Sequence, residues 1–201
     1  MEPLPRPPTV FLLSPASPAG VRARQLASAR AQFPTALRFR SPEGVPVAEA
    51  FAFLSALYFR GKIAYARRFA TPPEGLATGA FVIAPGFGLV PPDWPLTPER
   101  LKKLRRTPVD LASRAYHRPL RQAALELAGQ LGEHGRAVLL GSIATGKYVD
   151  VLLPVLGARL LYPRPFLGTG DMRRGSLMLR AARSGEELEY SAVESRARRR
   201  S

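Results

Sequence analysis

Short apolar runs that alternate with longer amphipathic segments restrict the fold of this chain more than any other feature. Each run has the length of a strand, and together they occupy Thr9–Leu13, Ala80–Ala84, 137–140 and 159–162. Segments with helical spacing separate them, and strands joined through helices pair in parallel with right-handed crossovers. The sequence therefore predicts an α/β fold, a three-layer sandwich around a mostly parallel mixed sheet.

The longest amphipathic segment covers residues 47–70. Its apolar side chains recur at three- and four-residue steps and so share one helix face, namely Phe51, Leu54, Tyr58, Gly61, Tyr65 and Phe69. We expect further helices over 20–33, ended by Pro34, over 98–106 with Thr97 as N-cap, over 120–131 and over 147–156.

The chain changes character after the fourth strand. Residues 177–181 and 188–193 flank Arg183-Ser184-Gly185-Glu186, which predicts a C-terminal antiparallel β-hairpin. A helix over 171–183 is the competing prediction. For the whole chain we expect a flexible arm over 1–8, a single α/β domain over 9–194 and a basic tail over 195–201.

Composition excludes several classes of protein. The absence of cysteine rules out disulfides, thiolate metal sites and cysteine nucleophiles. No run reaches the ~18 apolar residues of a membrane span or forms a signal-peptide core, so we expect a cytoplasmic protein without a membrane partner. His117 and His134 have no metal-ligand spacing, and the sequence predicts neither a metal nor another cofactor. It leaves the oligomeric state open.

The net charge of +15 predicts a polyanionic partner, either nucleic acid or a phosphate-bearing ligand. Arginine dominates the basic residues, so the alternative is that the charge reflects genome composition. If nucleic acid binds, the residues expected to contact its phosphates are Arg22, Arg24, Lys62, Arg67, Arg68, Lys102, Lys103 and Arg105.

Residues 141–147 spell G-x-x-x-x-G-K between a strand and a helix, which is the pattern of a phosphate-binding loop. Tyr148 stands where a triphosphatase needs a small hydroxyl for Mg²⁺, and no second metal-binding strand follows. We therefore expect a looser role, in which Gly141, Ser142, Thr145, Lys147 and Tyr148 contact a phosphate or a nucleobase. A purely structural turn is the alternative.

Other predicted strands also end in small or polar residues. Ser14 follows the first strand, and Gly86 and Gly88 follow the second, where glycine permits close approach of a ligand. The turn over 168–175 combines Asp171 with Arg173 and Arg174, and either guanidinium is a candidate to bind a phosphate. The alternatives are tight turns and a local ion pair. Because parallel strands end at one edge, we expect these turns to surround one crevice.

Part of the chain resembles a group of small α/β proteins. The matching features are Gly88-Leu89-Val90-Pro91-Pro92 after a strand, Tyr116 with Pro119-Leu120, and a Lys147-Tyr148 helix containing Leu152-Leu153-Pro154. Over 81–167 they are similar to the peroxide-stress YaaA proteins and to the glycosylase-like domain of archaeosine-forming enzymes. That resemblance implies DNA binding or modified-base metabolism, with Gly88, Pro91, Tyr116 and Tyr148 near a base-binding cleft.

Two functions follow as hypotheses. The first is a nucleotide- or nucleobase-binding protein which, if it is an enzyme, cleaves an N-glycosidic bond; Asp93 and Asp171 are then the candidate catalytic carboxylates. The second is a non-catalytic, basic nucleic-acid-binding protein whose affinity falls steeply with salt.

Overall fold

The computed structural model describes residues 6–194 and confirms the α/β architecture. In chain order its strands are β1 (Thr9–Leu13), β2 (Val45–Pro46), β3 (Ala80–Ala84), β4 (Gly88–Val90), β5 (Pro95–Leu96), β6 (Arg136–Leu140), β7 (Leu160–Pro163) and β8 (Tyr190–Ala192). Six strands form one sheet in the order β4-β3-β1-β6-β7-β8, and β2 pairs with β5 in a separate antiparallel ribbon. The four central strands of the large sheet are parallel, whereas β4 and β8 run antiparallel at its edges.

The helices are α1 (Val21–Ala27), α2 (Pro34–Arg40), α3 (Val47–Ser55), α4 (Leu57–Phe69), α5 (Pro98–Arg106), α6 (Arg114–Leu131), α7 (Val149–Leu156) and α8 (Asp171–Ser184). Short 3₁₀ turns occupy Gly157–Arg159 and Arg164–Phe166. As the sequence predicts, Thr97 caps α5, and its hydroxyl accepts a hydrogen bond from the Arg100 amide. Within residues 6–194 we find no helix with the length and apolarity that a membrane span requires.

Side-chain alternation along the central strands divides the apolar core between two faces of the sheet. On one face Phe11 and Leu13 pack against residues of α1–α5 and α8. On the other face Val10 and Leu12 pack against α6 and α7. Helices therefore cover both faces, as a parallel sheet requires, and the result is the three-layer sandwich that the sequence predicts.

Two predicted helices differ in the structure, because the first is shorter than expected and the second is divided. The helix expected over 20–33 ends at Ala27, and Pro34 begins α2 instead of ending α1, because the first helical turn needs no amide donor from proline. The helix expected over 47–70 breaks at Ala56, the one non-glycine residue with positive φ within residues 6–194. The apolar spacing continues across that break, so periodicity does not reveal it.

The predicted C-terminal hairpin is wrong, and the competing helix is correct. Residues 171–184 form α8, and the left-handed Gly185 ends this helix instead of forming a hairpin turn. α8 packs so closely on α4 that a Cβ at Gly61 would lie 2.7 Å from the Gly175 carbonyl oxygen. The last strand, β8, is antiparallel, but its partner is β7.

Both predicted terminal segments fall largely outside the described residues. The tail over 195–201 and residues 1–5 of the arm lie outside the described residues. Nearer the domain, the carbonyl oxygens of Pro7 and Pro8 accept hydrogen bonds from the Thr9 hydroxyl and the Arg136 amide, at 2.8 and 2.7 Å.

Candidate functional site

A cavity of about 600 Å³ lies at the carboxyl edge of the parallel strands. β1 and β6 pair over their whole lengths and end level with each other at Leu13 and Leu140. β3 lies on one side of β1 and β6 on the other, so the order of strands reverses here. Such a reversal is where open α/β sheets bind ligands, and the volume suits a small molecule.

Turns that are far apart in the sequence meet around this cavity. Ser14 follows β1, Pro85 follows β3, Ser142 follows β6 and Asp171 begins α8, and each lines the cavity wall. Three more of the predicted ligand-binding residues also line it, namely Thr145, Lys147 and Tyr148. The shared crevice expected from the sequence is therefore present.

A hydrogen bond from Tyr116 of α6 stabilises the loop between β6 and α7. This buried side chain donates a hydrogen bond from its hydroxyl to the Lys147 carbonyl oxygen at 2.7 Å, and burial raises its pKa. Tyr116 does not line the cavity, which corrects its predicted role as a ligand contact. Its hydroxyl stabilises the loop instead. Packing explains the glycine at position 141, because a Cβ there would lie 2.9 Å from the Ser14 Cβ.

Gly86 and Gly88 serve packing instead of ligand binding. Both have positive φ, and a Cβ at Gly86 would lie 2.8 Å from the Thr107 hydroxyl oxygen. Gly88 belongs to β4, where a Cβ would lie 2.7 Å from the Pro119 carbonyl oxygen of α6. Both predicted contacts are corrected for the same reason: protein atoms already occupy the space beside each glycine.

The two candidate carboxylates lie at opposite edges of the sheet. Asp171 lines the cavity at the carboxyl edge. Asp93 lies instead beside Arg67 and Gly79, next to the residue that begins β3. Of the two candidates, Asp171 is therefore the one at this cavity, and the candidate role of Asp93 is corrected because the length of the strands separates it from the cavity.

The two arginines that follow Asp171 point to different places. Arg173 is exposed and does not line the cavity, which corrects its predicted role as a cavity ligand. Arg174 is largely buried, with a guanidinium nitrogen 3.7 Å from an Asp171 carboxylate oxygen. It also donates to the Phe166 carbonyl oxygen at 3.1 Å, so Arg174 fixes the position at which α8 begins.

The predicted phosphate-contacting residues separate into three groups. Lys62 is fully buried, so it is not a surface contact, because phosphates of a nucleic acid cannot reach it. Arg67 and Arg68 are exposed in the last turn of α4, close to the start of β1 and hence at the edge away from the cavity. The rest are exposed on α1 and α5, namely Arg22, Arg24, Lys102, Lys103 and Arg105.

Among these exposed residues, Arg105 reaches the cavity itself and lines its wall. Lys103 precedes it by two residues, with its ammonium 4.2 Å from the centre of the Phe87 ring. On α1, Arg24 donates a hydrogen bond to the carbonyl oxygen of Ala19, a residue of the cavity wall. Arg105 of α5 and Arg24 of α1 therefore place positive charge at the cavity wall.

Sequence reasoning missed a buried polar pair beneath the cavity. The Lys62 ammonium nitrogen lies 2.7 Å from the Ser14 hydroxyl oxygen and 3.0 Å from the Ser14 carbonyl oxygen. Burial lowers the pKa of Lys62 from 10.5 to about 7, an effect that the Asp171 carboxylate partly opposes. A signal was present, because Lys62 falls four residues after Tyr58 and three before Tyr65, on the apolar face of its helix.

Two tyrosines complete the wall next to this pair. Tyr58 is buried, and its hydroxyl has no hydrogen-bond partner among the described residues. Burial raises the pKa of Tyr58 and that of Tyr148, the latter to about 12, so both remain protonated donors at neutral pH. An unpaired buried hydroxyl destabilises the fold. A ligand atom that accepts a hydrogen bond from this hydroxyl removes that cost.

No family model, curated protein or solved structure matched this chain. The resemblance of residues 81–167 to the YaaA group therefore stays a prediction. Of the residues that it places near a base-binding cleft, Tyr148 lines the cavity, whereas Gly88, Pro91 and Tyr116 do not.

Proposed function

We propose that the protein binds a nucleotide or nucleobase in the cavity at the carboxyl edge of the sheet. The observation that carries this proposal is the convergence of separate turns on one cavity at the reversal of strand order. The surrounding charge supports an anionic ligand, since Arg105 and Lys147 line the cavity and Asp171 is the one carboxylate among the described residues that line it.

The lining chemistry suits the two ends of a nucleotide. Lys147 and the hydroxyls of Ser142 and Thr145 lie on one loop and provide contacts for phosphate oxygens. Phe51 and Tyr148 provide aromatic surface for a planar base. The donors and rings of the cavity therefore match a ligand that combines negative charge with a flat ring.

The binding test is calorimetric titration with a panel of nucleoside monophosphates and free bases. We expect Lys147→Ala to weaken nucleotide binding about 10-fold or more, because it removes a charged contact to phosphate. Arg180→Ala is the matched control, since Arg180 is exposed on α8 and does not line the cavity. No binding of any panel member, or equal losses in both variants, would contradict the proposal.

Cleavage of an N-glycosidic bond is the enzymatic form of this proposal. Asp171 is then the group that orients water or stabilises the sugar cation, and Asp93 is too far away to help. The test is a screen for free base released from nucleosides and from damaged oligonucleotides, with Asp171→Asn as the inactive variant. The enzymatic form is wrong if no base is released at any pH while the binding test succeeds.

Binding of nucleic acid without catalysis is the second candidate, and the surface of α5 favours it. Lys102, Arg105 and Arg106 line a shallow depression beside the cavity, and Arg105 belongs to both. Phosphates on α5 would place an adjoining base at the cavity opening. We expect affinity for single-stranded oligonucleotides to fall steeply with salt in mobility-shift titrations, and binding that is absent at low salt would eliminate this candidate.

A further inference from the structure

The contact between Ser14 and Lys62 has the geometry of a nucleophile and its general base. The 2.7 Å separation of the ammonium nitrogen from the hydroxyl oxygen is within direct proton-transfer distance. The Ser14 hydroxyl donates a hydrogen bond to the Leu140 carbonyl oxygen at 3.3 Å in this structure, which fixes its position at the end of β1. Ser14 lines the cavity, whereas Lys62 lies behind it and does not.

The surroundings of Lys62 favour its neutral form. Within residues 6–194 no carboxylate oxygen lies within 4.0 Å of its ammonium. The described groups that face it are the Tyr58 and Phe59 rings, 3.8 and 5.7 Å away on its own helix, Ser14 at the end of β1, and Asp171 and Arg174 from α8. Burial outweighs the attraction of Asp171, so a substantial fraction of the amine is unprotonated and can accept a proton at neutral pH.

We propose that Ser14 is a catalytic nucleophile and Lys62 its general base, and that the protein hydrolyses a carboxylic ester or thioester through an acyl-serine intermediate. Serine–lysine pairs are an established variant of the serine nucleophile. This inference goes beyond the proposed function, because a cavity that binds a nucleotide need not contain a reactive serine. The Arg105 and Lys147 side chains at the wall favour a substrate that also carries an anionic group, such as a phosphate.

Each step of the reaction has a defined destination for the proton. The Ser14 oxygen bonds to the carbonyl carbon while its proton passes to the Lys62 amine. The tetrahedral intermediate then breaks the bond to the leaving alcohol or thiol, which takes the proton from Lys62. Water adds to the acyl group, again giving a proton to Lys62, and the proton returns to the serine oxygen as the acid departs.

The wall also offers a donor for the negative charge that develops on the carbonyl oxygen. Tyr58 lines the cavity, and its buried hydroxyl has no protein acceptor among the described residues. Because its pKa is raised, it stays protonated and can donate to the oxyanion. Donation to the oxyanion would explain why the fold retains a buried, unpaired Tyr58 hydroxyl, which by itself is destabilising.

The test is covalent labelling of the intact protein by a fluorophosphonate, in which the serine oxygen bonds to phosphorus and fluoride leaves. We expect one adduct, mapped to Ser14 by peptide mass spectrometry and absent from Ser14→Ala. Lys62→Met should slow labelling about 100-fold, which is the usual contribution of a general base. Ser176→Ala is the matched control and should label normally, because Ser176 is exposed on α8 away from the cavity.

The pH dependence provides a second measurement that does not depend on the folding of Lys62→Met. The labelling rate of the wild type should rise with deprotonation of a group whose pKa is about 7. The proposal is overturned if folded wild type shows no adduct at Ser14 at any pH tested, or if labelling does not depend on Lys62. Neither result would affect nucleotide binding, so failure of this proposal is distinguishable from failure of the proposed function.

Discussion

Replacement of the buried lysine by methionine, Lys62→Met, should change stability in a manner that depends on pH. Methionine has a similar unbranched shape and carries no charge. In the folded protein burial lowers the pKa of Lys62 to about 7, whereas the unfolded chain restores the ordinary value of 10.5. Between these values the unfolded state binds one more proton than the folded state. The cost of burying Lys62 is therefore complete below pH 7 and fades as the pH rises.

The magnitude follows from the two pKa values. Each pH unit within this window changes the free energy of unfolding by about 1.4 kcal/mol. Relative to Lys62→Met, the wild type should therefore gain about 3 kcal/mol in stability between pH 6 and pH 9. The variant also loses the two hydrogen bonds to Ser14, a loss of about 1 kcal/mol each that applies at every pH. We expect the variant to be the more stable protein at pH 6 and to lose that advantage by pH 9.

The assay is urea denaturation of both proteins at pH 6, 7, 8 and 9, followed by circular dichroism. The difference between them cancels the titration of all other groups. Lys102→Met is the control, because Lys102 is exposed on α5 and its replacement should change stability by no more than about 0.5 kcal/mol. Parallel curves for wild type and Lys62→Met would refute the reasoning, since they would show that Lys62 keeps its ordinary pKa in the fold.

Three further predictions concern packing and the loop. Gly61→Ala should destabilise the protein by about 1–3 kcal/mol in denaturant titrations, because the new methyl group would meet the Gly175 backbone of α8. Gly129→Ala is its counterpart in open space on α6 and should stabilise by about 0.5–1 kcal/mol; destabilisation there would contradict the argument. Tyr116→Phe removes the hydrogen bond to the Lys147 carbonyl, so amide exchange in the loop over 141–148 should accelerate, and unchanged exchange would show that Tyr116 does not hold it.

The elements that could be predicted from the sequence are those with a local signal. Apolar runs located the four parallel strands to within one residue at each end, because strands buried on both faces have few polar side chains. Thr97 and Pro98 marked the start of α5 for an equally local reason. The hairpin failed because residues 177–181 suit a strand or a helix, and only the packing of α8 against α4 selects the helix.

The candidate site was predictable only in part. Residues within two positions of a strand end, such as Ser14 and Ser142, could be placed at the carboxyl edge without coordinates. Tyr116, Gly88 and Asp93 could not be placed correctly, because what they contact depends on how α6 and the long connection after β4 cross the sheet. The net charge of the chain likewise did not reveal that Lys62 is buried while Arg105 reaches the cavity.

The sequence by itself determined that apolar strands and amphipathic helices alternate, and hence that small and hydroxyl-bearing residues gather at one edge of a parallel sheet. It did so because strand and helix periods are properties of consecutive residues. Only the tertiary structure decided that Ser14 meets Lys62, since these side chains come from a strand end and a helix 48 residues apart. A lysine is charged or neutral according to the water and protein around it, and that environment exists only once the chain has folded.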